Sequence, residues 1–591
     1  MALAVGQLDL RWSTACPDWE TRIVEGRSLI PIDPLFPDEA AAALDVFKAL
    51  RMVDVPGQPT FGEACDDWVF DFVAAIFGAY DARSARRLIR EFMLLVSKKN
   101  GKSTIVAGIM LTALLRNWRH EAELLILAPT LEVAGNSFNP AAAMVRADPE
   151  LTDLLHIQDY RRAIKHRVTG AELKVVAADT DTSSGKKAGF VLVEELWLFG
   201  KKAKSAAMLR EALGGLAARP EGFVIFITTH SDEPPAGVFK DKLAYFRDVR
   251  DGVIDDPTSM AVLYEWPAAM LDAEAYLNPD NFGVTNPNLG RSVSREWLAS
   301  ELRKEQVGDG EGEGLQIFLA KHLNVEIGLR LRRDRWRGAD HWEAQGDRTL
   351  TLDELLRRCE VVVIGIDGGG LDDLYGLAVA GREKGTGRWL YWAKAWAWPE
   401  VLTRRKSIAS LLKDFEKDGD LVICEALPEG DEVDPLADGA EVYHLPQDLR
   451  EIIEIIEQVK DSGLLPEKSA VALDPQGVSD LVDALADIGL EHPQVVAQRQ
   501  GFQLMSAVVG LARRLKFKQA AHCGSRLLAW CVSNAKEEAT RNAVMITKDV
   551  KGSAKIDPLI AILNATKMLE LNPEASEANG GLDGWLERLS A

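Results

Sequence analysis

The sequence predicts an α/β protein of two domains, and two patterns carry that prediction. From Arg87 onward, short aliphatic or β-branched runs alternate with helical patterns, which is typical of a parallel sheet covered on both faces. A glycine-rich acidic stretch at Gly308–Gly314 and an arginine-rich stretch at Arg330–Gly338 interrupt this pattern, and a second alternation begins with the apolar run EVVVIGID. The 591 residues leave room for more than one hydrophobic core.

The expected domain boundaries follow these interruptions. We expect an N-terminal arm over residues 1–60, rich in proline and acidic groups, with one helix from Asp38 to Leu50 and little chemistry. A first α/β domain is predicted over residues 61–330, a linker over 331–354 and a second α/β domain over 355–591.

Composition excludes several classes of protein. The chain is 47% hydrophobic and 27% charged, as in ordinary globular proteins, and no apolar run reaches the roughly 18 residues of a membrane span. The N-terminus lacks a basic start followed by a long apolar stretch, so we expect a cytoplasmic protein. Six cysteines form no CxxC pair, which argues against a zinc site. A net charge of −21 argues against a protein that coats nucleic acid non-specifically.

The segment LLVSKKNGKST runs from a predicted strand through a polar turn into a helix, which is where a P-loop belongs. In a P-loop, Lys102 would reach the β and γ phosphates of ATP and the Ser103 hydroxyl would bind Mg²⁺. The alternative is a solvated helix cap, because Val96 stands where the GxxxxGK[ST] pattern has its first glycine. The predicted nucleotide-binding residues are Lys98, Lys99, Asn100, Gly101, Lys102, Ser103 and Thr104.

Two glutamates at the end of the strand in GFVLVEELW support this interpretation. A buried strand that ends in two carboxylates is costly unless a cation or an attacking water uses them. We expect Glu194 to hold Mg²⁺ and Glu195 to orient or deprotonate the water, the alternative being the start of a solvated helix. A third strand ends in small polar groups suited to sensing the γ-phosphate, with the histidine as a hydrogen-bonding residue rather than a metal ligand: Thr228, Thr229, His230 and Ser231.

Three carboxylates mark a second site in the C-terminal half. Asp367 and Asp474 each end an apolar strand, and Asp557 opens a helix. Together they match the parts of a ribonuclease-H-like site, in which two Mg²⁺ or Mn²⁺ ions activate water and stabilise the leaving oxygen of a phosphodiester. The alternative for the two Asp-Pro pairs is a helix cap. Lower-ranked candidates are Asp373, Asp480 and Glu425.

An ATPase followed by a metal nuclease in one chain resembles the large terminase subunit of tailed bacteriophages. The resemblance covers roughly residues 60 to 570. It includes further segments that look like the connecting and nuclease segments of that family: TNPNLGRSV, FLAKHLNVE, QGFQLMSAVVGLARRL, LLAWCVSNAKEEA and KIDPLIAILNA.

The chain departs from the family pattern at three positions. It has Lys98 where members commonly have an arginine before the NGKS turn, and Glu194 where they have the aspartate of an Asp-Glu pair. Val69 stands beside Trp68 in place of the glutamine usual in the adenine-side motif.

The resemblance implies a mechanism and partners. ATP hydrolysis would drive double-stranded DNA through a homo-oligomeric ring docked on the portal protein of a procapsid, and the nuclease would cut concatemers to genome length. A small terminase subunit would be the other partner, in the host cell cytoplasm and with no membrane. Basic residues that could touch DNA are Arg161, Arg162, Lys165, Arg167 and the stretch Arg330–Arg337.

Three other interpretations stay open from the residues. A transposase or recombinase can use the same carboxylate triad but normally has no P-loop domain. An assembly protein could bind ATP structurally through a degenerate P-loop, given Val96 and Glu194. A helicase with an appended nuclease would need a second motor domain, which the sequence after Ser231 does not indicate.

Overall fold

The computed structural model divides the chain into two compact units, Met1–Ile327 and Gly328–Ala591. It describes residues 12–177, 187–202, 205–307, 313–327, 336–368, 370, 373–406, 408–425, 445–474, 479–539, 544–548 and 555–576. Within these ranges, every helix is too short or too polar to cross a membrane.

The first unit contains helices α1 to α13 and strands β1 to β10 among its described residues. The helices are α1 Trp19–Val24, α2 Pro37–Ala49, α3 Phe61–Ala64, α4 Asp67–Phe77, α5 Lys102–Arg116, α6 Leu131–Arg146, α7 Pro149–Leu154, α8 Leu196–Gly200, α9 Ser205–Gly214, α10 Gly237–Arg250, α11 Ala268–Asp272, α12 Arg295–Val307 and α13 Glu313–His322. The strands are β1 Tyr80–Asp81, β2 Arg86–Arg87, β3 Glu91–Leu95, β4 Glu123–Ala128, β5 Leu155–Gln158, β6 Ala163–His166, β7 Glu172–Ala177, β8 Phe190–Glu194, β9 Phe223–Thr228 and β10 Ser259–Leu263.

The main sheet of this unit, as far as the described residues define it, has the order β10-β3-β9-β8-β4-β7-β6-β5. The six strands from β10 to β7 are parallel, and β6 and β5 add an antiparallel edge. The central strands β3, β8 and β9 are buried along almost their whole length, as expected for strands covered on both faces. Because β3, β9 and β8 are parallel neighbours, the segments that follow them meet at one edge of the sheet.

The second unit contains helices α14 to α22 and strands β11 to β19 among its described residues. The helices are α14 Ala339–Trp342, α15 Leu352–Arg358, α16 Glu400–Arg404, α17 Ala409–Lys417, α18 Gln447–Asp461, α19 Ser479–Asp487, α20 Met505–Lys516, α21 Arg526–Asn534 and α22 Asp557–Leu569. The strands are β11 Cys359–Gly368, β12 Tyr375–Glu383, β13 Trp389–Ala397, β14 Leu421–Ile423, β15 Val471–Leu473, β16 Val495–Ala497, β17 Ala520–His522, β18 Ala535–Ala539 and β19 Val544–Lys548.

The sheet of the second unit has the order β14-β13-β12-β11-β15-β16 within the described ranges, with β17 also paired to β13. Strands β11, β12 and β13 are antiparallel, whereas β15 runs parallel to β11. Helix α22 packs across β11 and β12. Gly365 on β11 permits this packing, because a Cβ there would lie 2.0 Å from the carbonyl oxygen of Ala561 on the helix. The predicted α/β fold class is confirmed for both units.

Part of the segment predicted as a linker packs inside the second unit. Trp336 and Trp342 are fully buried. The Trp336 indole donates to the carbonyl oxygen of Val508 at 3.0 Å, and the Trp342 ring stacks on His522 at 4.1 Å between centroids. Trp336 and Trp342 therefore belong to the core of this unit, which the arginine-rich composition of the preceding stretch does not reveal.

Candidate active sites

The turn between β3 and α5 has the backbone of a phosphate-binding loop. Gly101 caps α5 in a left-handed conformation with φ 74°, which suits glycine because it has no Cβ. Helix α5 begins at Lys102. Its first backbone N–H groups and the positive end of its dipole therefore face the turn. Lys98 and Lys99 are exposed, whereas Asn100 is fully buried.

The two glutamates after β8 face this turn. The Ser103 hydroxyl donates to Glu194 Oε1 at 2.8 Å, and Lys102 Nζ lies 3.3 Å from Glu195 Oε1. Glu195 itself has φ 52°, an uncommon conformation for a residue other than glycine that is often found at functional sites. The structure thus brings together four of the residues predicted for nucleotide and Mg²⁺ binding.

The carboxyl groups of Glu194 and Glu195 have pKa values that are shifted in opposite directions. Burial raises the pKa of Glu194 to about 7 and outweighs the hydrogen bond from Ser103. Burial also acts to raise the pKa of Glu195, but the Lys102 charge and the hydrogen bond from Trp197 Nε1, 2.6 Å long, outweigh it and lower that pKa. Neighbouring carboxylates with pKa values pushed apart are typical of catalytic sites.

The end of β9 connects this site to α13. The Thr228 hydroxyl accepts a hydrogen bond from the Trp197 backbone N–H at 3.2 Å. Lys321, near the end of α13, donates to the His230 carbonyl oxygen at 2.8 Å and lies 3.0 Å from the centre of the Trp197 ring. Burial lowers the pKa of Lys321 to about 7, although the charges of Asp232 and Glu195 oppose the shift. Trp197 therefore contacts both Glu195, through its indole N–H, and Lys321 of α13, through its ring.

His230 belongs to a charged cluster rather than to the nucleotide site. Within the described ranges, three possible metal-ligand atoms lie within 4.8 Å of one another only at His230, Glu265 and Glu326. Arg247 pairs with both glutamates, and Arg250 lies 2.7 Å from Glu265 Oε2, so the carboxylates already have cationic partners. His230 acts as a hydrogen-bonding strand-end residue, 3.3 Å from Glu265 Oε1.

A distant loop within the segment TNPNLGRSV holds the P-loop turn in place, a contact that the sequence pattern does not indicate. The Asn100 amide donates to Asn286 Oδ1 at 2.8 Å and accepts from the Asn288 backbone N–H at 3.0 Å. The Asn288 side chain donates to the Asn100 carbonyl oxygen at 2.8 Å and accepts from Trp68 Nε1 at 2.9 Å. Asn286 and Asn288 are almost fully buried, so each depends on these bonds.

A cavity of about 930 Å³ opens on the P-loop turn. This volume lies at the upper end of the range for small-molecule sites. Residues from the N-terminal arm and from the segment after it also line the cavity: Met52, Asp54, Val55, Pro56, Pro59, Glu63, Ala64 and Cys65.

In the second unit, the fold brings Asp367 and Asp474 to one edge of the sheet. Ile366 on β11 pairs with Leu473 on the parallel strand β15. Asp367 directly follows Ile366 in the chain, and Asp474 directly follows Leu473. Asp557 is the first residue of α22, which packs on β11. Ile556 occupies the cap position of that helix without a capping side chain, whereas the alternative interpretation placed Asp557 at the cap.

The aspartates interact strongly through their charges. Burial, followed by the charges of Asp557 and Asp474, raises the pKa of Asp367 well above its usual value. Burial also raises the pKa of Asp557 to about 7, with the Asp373 charge as the next cause. The Oδ2 atom of Asp557 is buried and has no hydrogen-bond partner. Crowded, buried carboxylates of this kind fit one or more divalent cations, which would neutralise them.

Two side chains near this site were not singled out or were ranked low in the sequence. Asp373 accepts from Lys555 Nζ at 2.6 Å, and Gln500 Nε2 donates to Asp367 Oδ1 at 2.6 Å. The lower-ranked candidate Glu425 is exposed after β14, and two strands separate β14 from β11. Asp480 is exposed in the first turn of α19.

Comparison with known proteins gives two family matches. A model of the terminase large subunit ATPase domain matches residues 67–248, and a model of the terminase large subunit endonuclease domain matches residues 446–572. The first range includes the P-loop turn and both glutamates after β8. The second includes Asp474 and Asp557, whereas Asp367 lies before it.

The individual relatives have low sequence identity to the chain but match 61% to 89% of its length. The chain is 23% identical to the large terminase subunit of Enterobacteria phage HK97 over 538 residues, which span 89% of this chain and 92% of the relative. It is 24% identical to protein YmfN of Escherichia coli (strain K12) over 366 residues, 61% of this chain and 73% of that one. The crystal structure of the HK97 bacteriophage large terminase matches with a TM-score of 0.44 and 20% identity, covering 89% of this chain and 99% of that chain.

Proposed function

Because the chain belongs to the large terminase subunits and is an ATPase and an endonuclease of phage DNA packaging, we propose that it translocates double-stranded DNA into procapsids and cuts concatemers. One observation carries the ATPase part of this proposal. Lys102 contacts Glu195 and Ser103 contacts Glu194, and Lys102, Ser103 and Glu195 line a cavity large enough for a nucleotide.

In the proposed ATPase site, the P-loop turn holds ATP. Its backbone N–H groups and the start of α5 bind phosphate oxygens, and Lys102 turns from Glu195 to the β and γ phosphates. Ser103 and Glu194 are the proposed Mg²⁺ ligands, and the ion would neutralise phosphate charge. Glu195, whose lowered pKa keeps it ionised, accepts the proton of the attacking water. Lys98, Lys99, Asn100, Gly101 and Thr104 complete the proposed phosphate-binding turn.

In the proposed nuclease site, Asp367, Asp474 and Asp557 hold divalent ions. Two Mg²⁺ or Mn²⁺ ions would activate water and stabilise the leaving oxygen. The chain's own contribution is to bury Asp367 and Asp557 and to place the Asp474 charge where it acts on Asp367, so that a divalent cation would offset their repulsion. The unpartnered Oδ2 atom of Asp557 supports its assignment as a ligand.

The proposed partners follow from this function. Duplex DNA is the substrate of both sites, and the portal protein and a small terminase subunit are the proposed protein partners. We further propose that copies of the chain form a ring on the procapsid in the host cytoplasm. Of the basic candidates for DNA contact, Arg161 and Lys165 have side chains that are 65% and 43% exposed, whereas most of the stretch 330–337 lies outside the described residues.

A DNA-stimulated ATPase assay on the purified chain tests this function. The motor proposal requires that duplex DNA raise the rate of ATP hydrolysis and that the same preparation cut DNA when Mg²⁺ or Mn²⁺ is supplied. An assembly protein with a degenerate P-loop would bind ATP without turnover. A transposase-type nuclease would cut DNA with no dependence on an ATPase domain, so ATP turnover that DNA stimulates would exclude both alternatives.

A further inference from the structure

A buried lysine lies inside the carboxylate cluster of the second unit. Lys555 precedes Asp557 by two residues and is 2% exposed. Its Nζ atom donates to Asp373 Oδ1 at 2.6 Å, and its carbonyl oxygen accepts from the Asn534 amide at 3.1 Å. A buried lysine is costly unless its charge is compensated, so this pair needs an explanation.

Asp373 is part of the same electrostatic cluster. Its charge acts on both Asp367 and Asp557. The Asp373 backbone N–H donates to the Gly370 carbonyl oxygen at 3.1 Å, and both residues lie between β11 and β12 in the chain. The Asp373 side chain is 27% exposed, in contrast to the buried Lys555 side chain.

Charge balance explains why Lys555 is present. Four carboxylates share this site: Asp367, Asp373, Asp474 and Asp557. Like charges this close repel one another strongly where water is excluded, and the Lys555 charge acts on Asp557 in the opposite direction. The ammonium of Lys555 thus supplies positive charge to these carboxylates, as a divalent ion would when it binds.

We propose that Asp373 is a fourth carboxylate ligand of the nuclease metal site, and that Lys555 is a built-in counter-cation which must release Asp373 before that ligand can bind a divalent ion. This inference rests on the proposed nuclease function of the same site. It makes ion binding a competition between the ammonium of Lys555 and Mg²⁺ or Mn²⁺ for one carboxylate. Such competition weakens ion binding and keeps the cluster folded without ions.

Calorimetric titration of the full chain with Mn²⁺, without nucleotide or DNA, measures this competition directly. Lys555→Met removes the ammonium and keeps a side chain of similar length, so we expect Mn²⁺ to bind about 5- to 150-fold more tightly, the usual range of coupling between two ligands. The same variant should melt at a lower temperature in EDTA and gain more than the parent on Mn²⁺ addition. Lys567→Met is the matched control, since Lys567 lies on α22 and pairs with Glu570 at 3.3 Å on the surface.

A second variant separates competition at Asp373 from a general effect of removing positive charge. Asp373→Asn should weaken Mn²⁺ binding, and adding Lys555→Met to it should bring little of the gain seen in the parent background. An equal gain in both backgrounds, or an unchanged affinity in Lys555→Met, would overturn the inference. If Lys555→Met does not fold, unchanged Mn²⁺ affinity and stoichiometry in Asp373→Asn would overturn it alone.

The proposed nuclease function fails in a different way. If the parental chain binds no Mn²⁺, or if Asp367→Asn and Asp557→Asn bind it as the parent does, these aspartates do not form a metal site. If those two variants lose Mn²⁺ while Lys555→Met and Asp373→Asn behave as the parent, the metal site stands and only the roles of Lys555 and Asp373 are wrong.

Discussion

At the scale of single residues, Glu194 and Glu195 show how neighbouring groups receive different roles. Burial keeps Glu194 partly protonated near neutral pH, and it contacts the Ser103 hydroxyl. Glu195 contacts the Lys102 ammonium and stays ionised. A metal ligand and a base can therefore stand side by side, because Ser103 and Lys102 approach different carboxylates.

Replacing Lys102 by alanine should lower ATP hydrolysis by about 100-fold or more, because the ammonium that would neutralise phosphate charge is lost. Steady-state ATPase rates of the purified variant check this. Lys304→Ala is a suitable control, since Lys304 is exposed and pairs only with Glu301 in the same helix among the described contacts. A parental rate in Lys102→Ala would show that this turn is not the nucleotide site.

Glu195→Gln should keep ATP binding and lower turnover by about 10² to 10⁴-fold, because an amide has the shape of the carboxylate but cannot accept the proton. Nucleotide affinity and turnover are measured on the same preparation, with the exposed Glu132→Gln as the control. A matching loss of affinity would instead assign Glu195 to nucleotide binding.

At the scale of elements, the loop from Thr285 to Ser292 supports the P-loop turn. Asn288→Ala removes the acceptor of the Trp68 indole and the donor to the Asn100 carbonyl oxygen. Leaving such buried groups unpaired should lower the free energy of unfolding by about 1 to 3 kcal/mol and weaken ATP binding. Thermal denaturation and nucleotide titration check both, and Asn139→Ala, at an exposed asparagine of α6, should lower neither. Unchanged stability and affinity in Asn288→Ala would show that the loop does not support the turn.

The segment that contains Trp336 and Trp342 makes a second prediction at this scale. A fragment of residues 328–591 should fold and cut duplex DNA with Mn²⁺, whereas a fragment of 355–591 should be unstable, since it loses both buried tryptophans. The physical reason is that the core loses two large apolar side chains and is left with the cavity that they filled. Circular dichroism melting of the two fragments compares them, and equal stability would return residues 336–354 to the role of a linker.

Local patterns made most of the sites predictable. The polar turn before α5, the glutamates after β8 and the strand-end aspartates Asp367 and Asp474 all stand at strand ends, where parallel sheets collect functional groups. Contacts between distant segments were not predictable in the same way. Asn288 and Trp68 are 220 residues apart, and Lys555 and Asp373 are 182 apart, so a periodic pattern cannot show that they meet.

At the scale of the whole molecule, two compact units each hold one candidate site. The P-loop turn and its glutamates lie in Met1–Ile327, and the four aspartates lie in Gly328–Ala591. The cores are built from different strands, β3 to β10 in one unit and β11 to β17 in the other. Loss of one chemistry should therefore leave the other intact.

The most direct test of this central claim is to measure DNA cleavage, ATP hydrolysis and melting temperature together in Asp557→Ala. We expect the variant to lose cleavage in Mn²⁺ and to hydrolyse ATP at the parental rate, while remaining folded, because the substitution removes one carboxylate from the nuclease site and leaves the residues of the candidate ATPase site unchanged. A folded Asp557→Ala protein that still cuts DNA, or one that loses ATP hydrolysis as well, would contradict the assignment of two separate active sites.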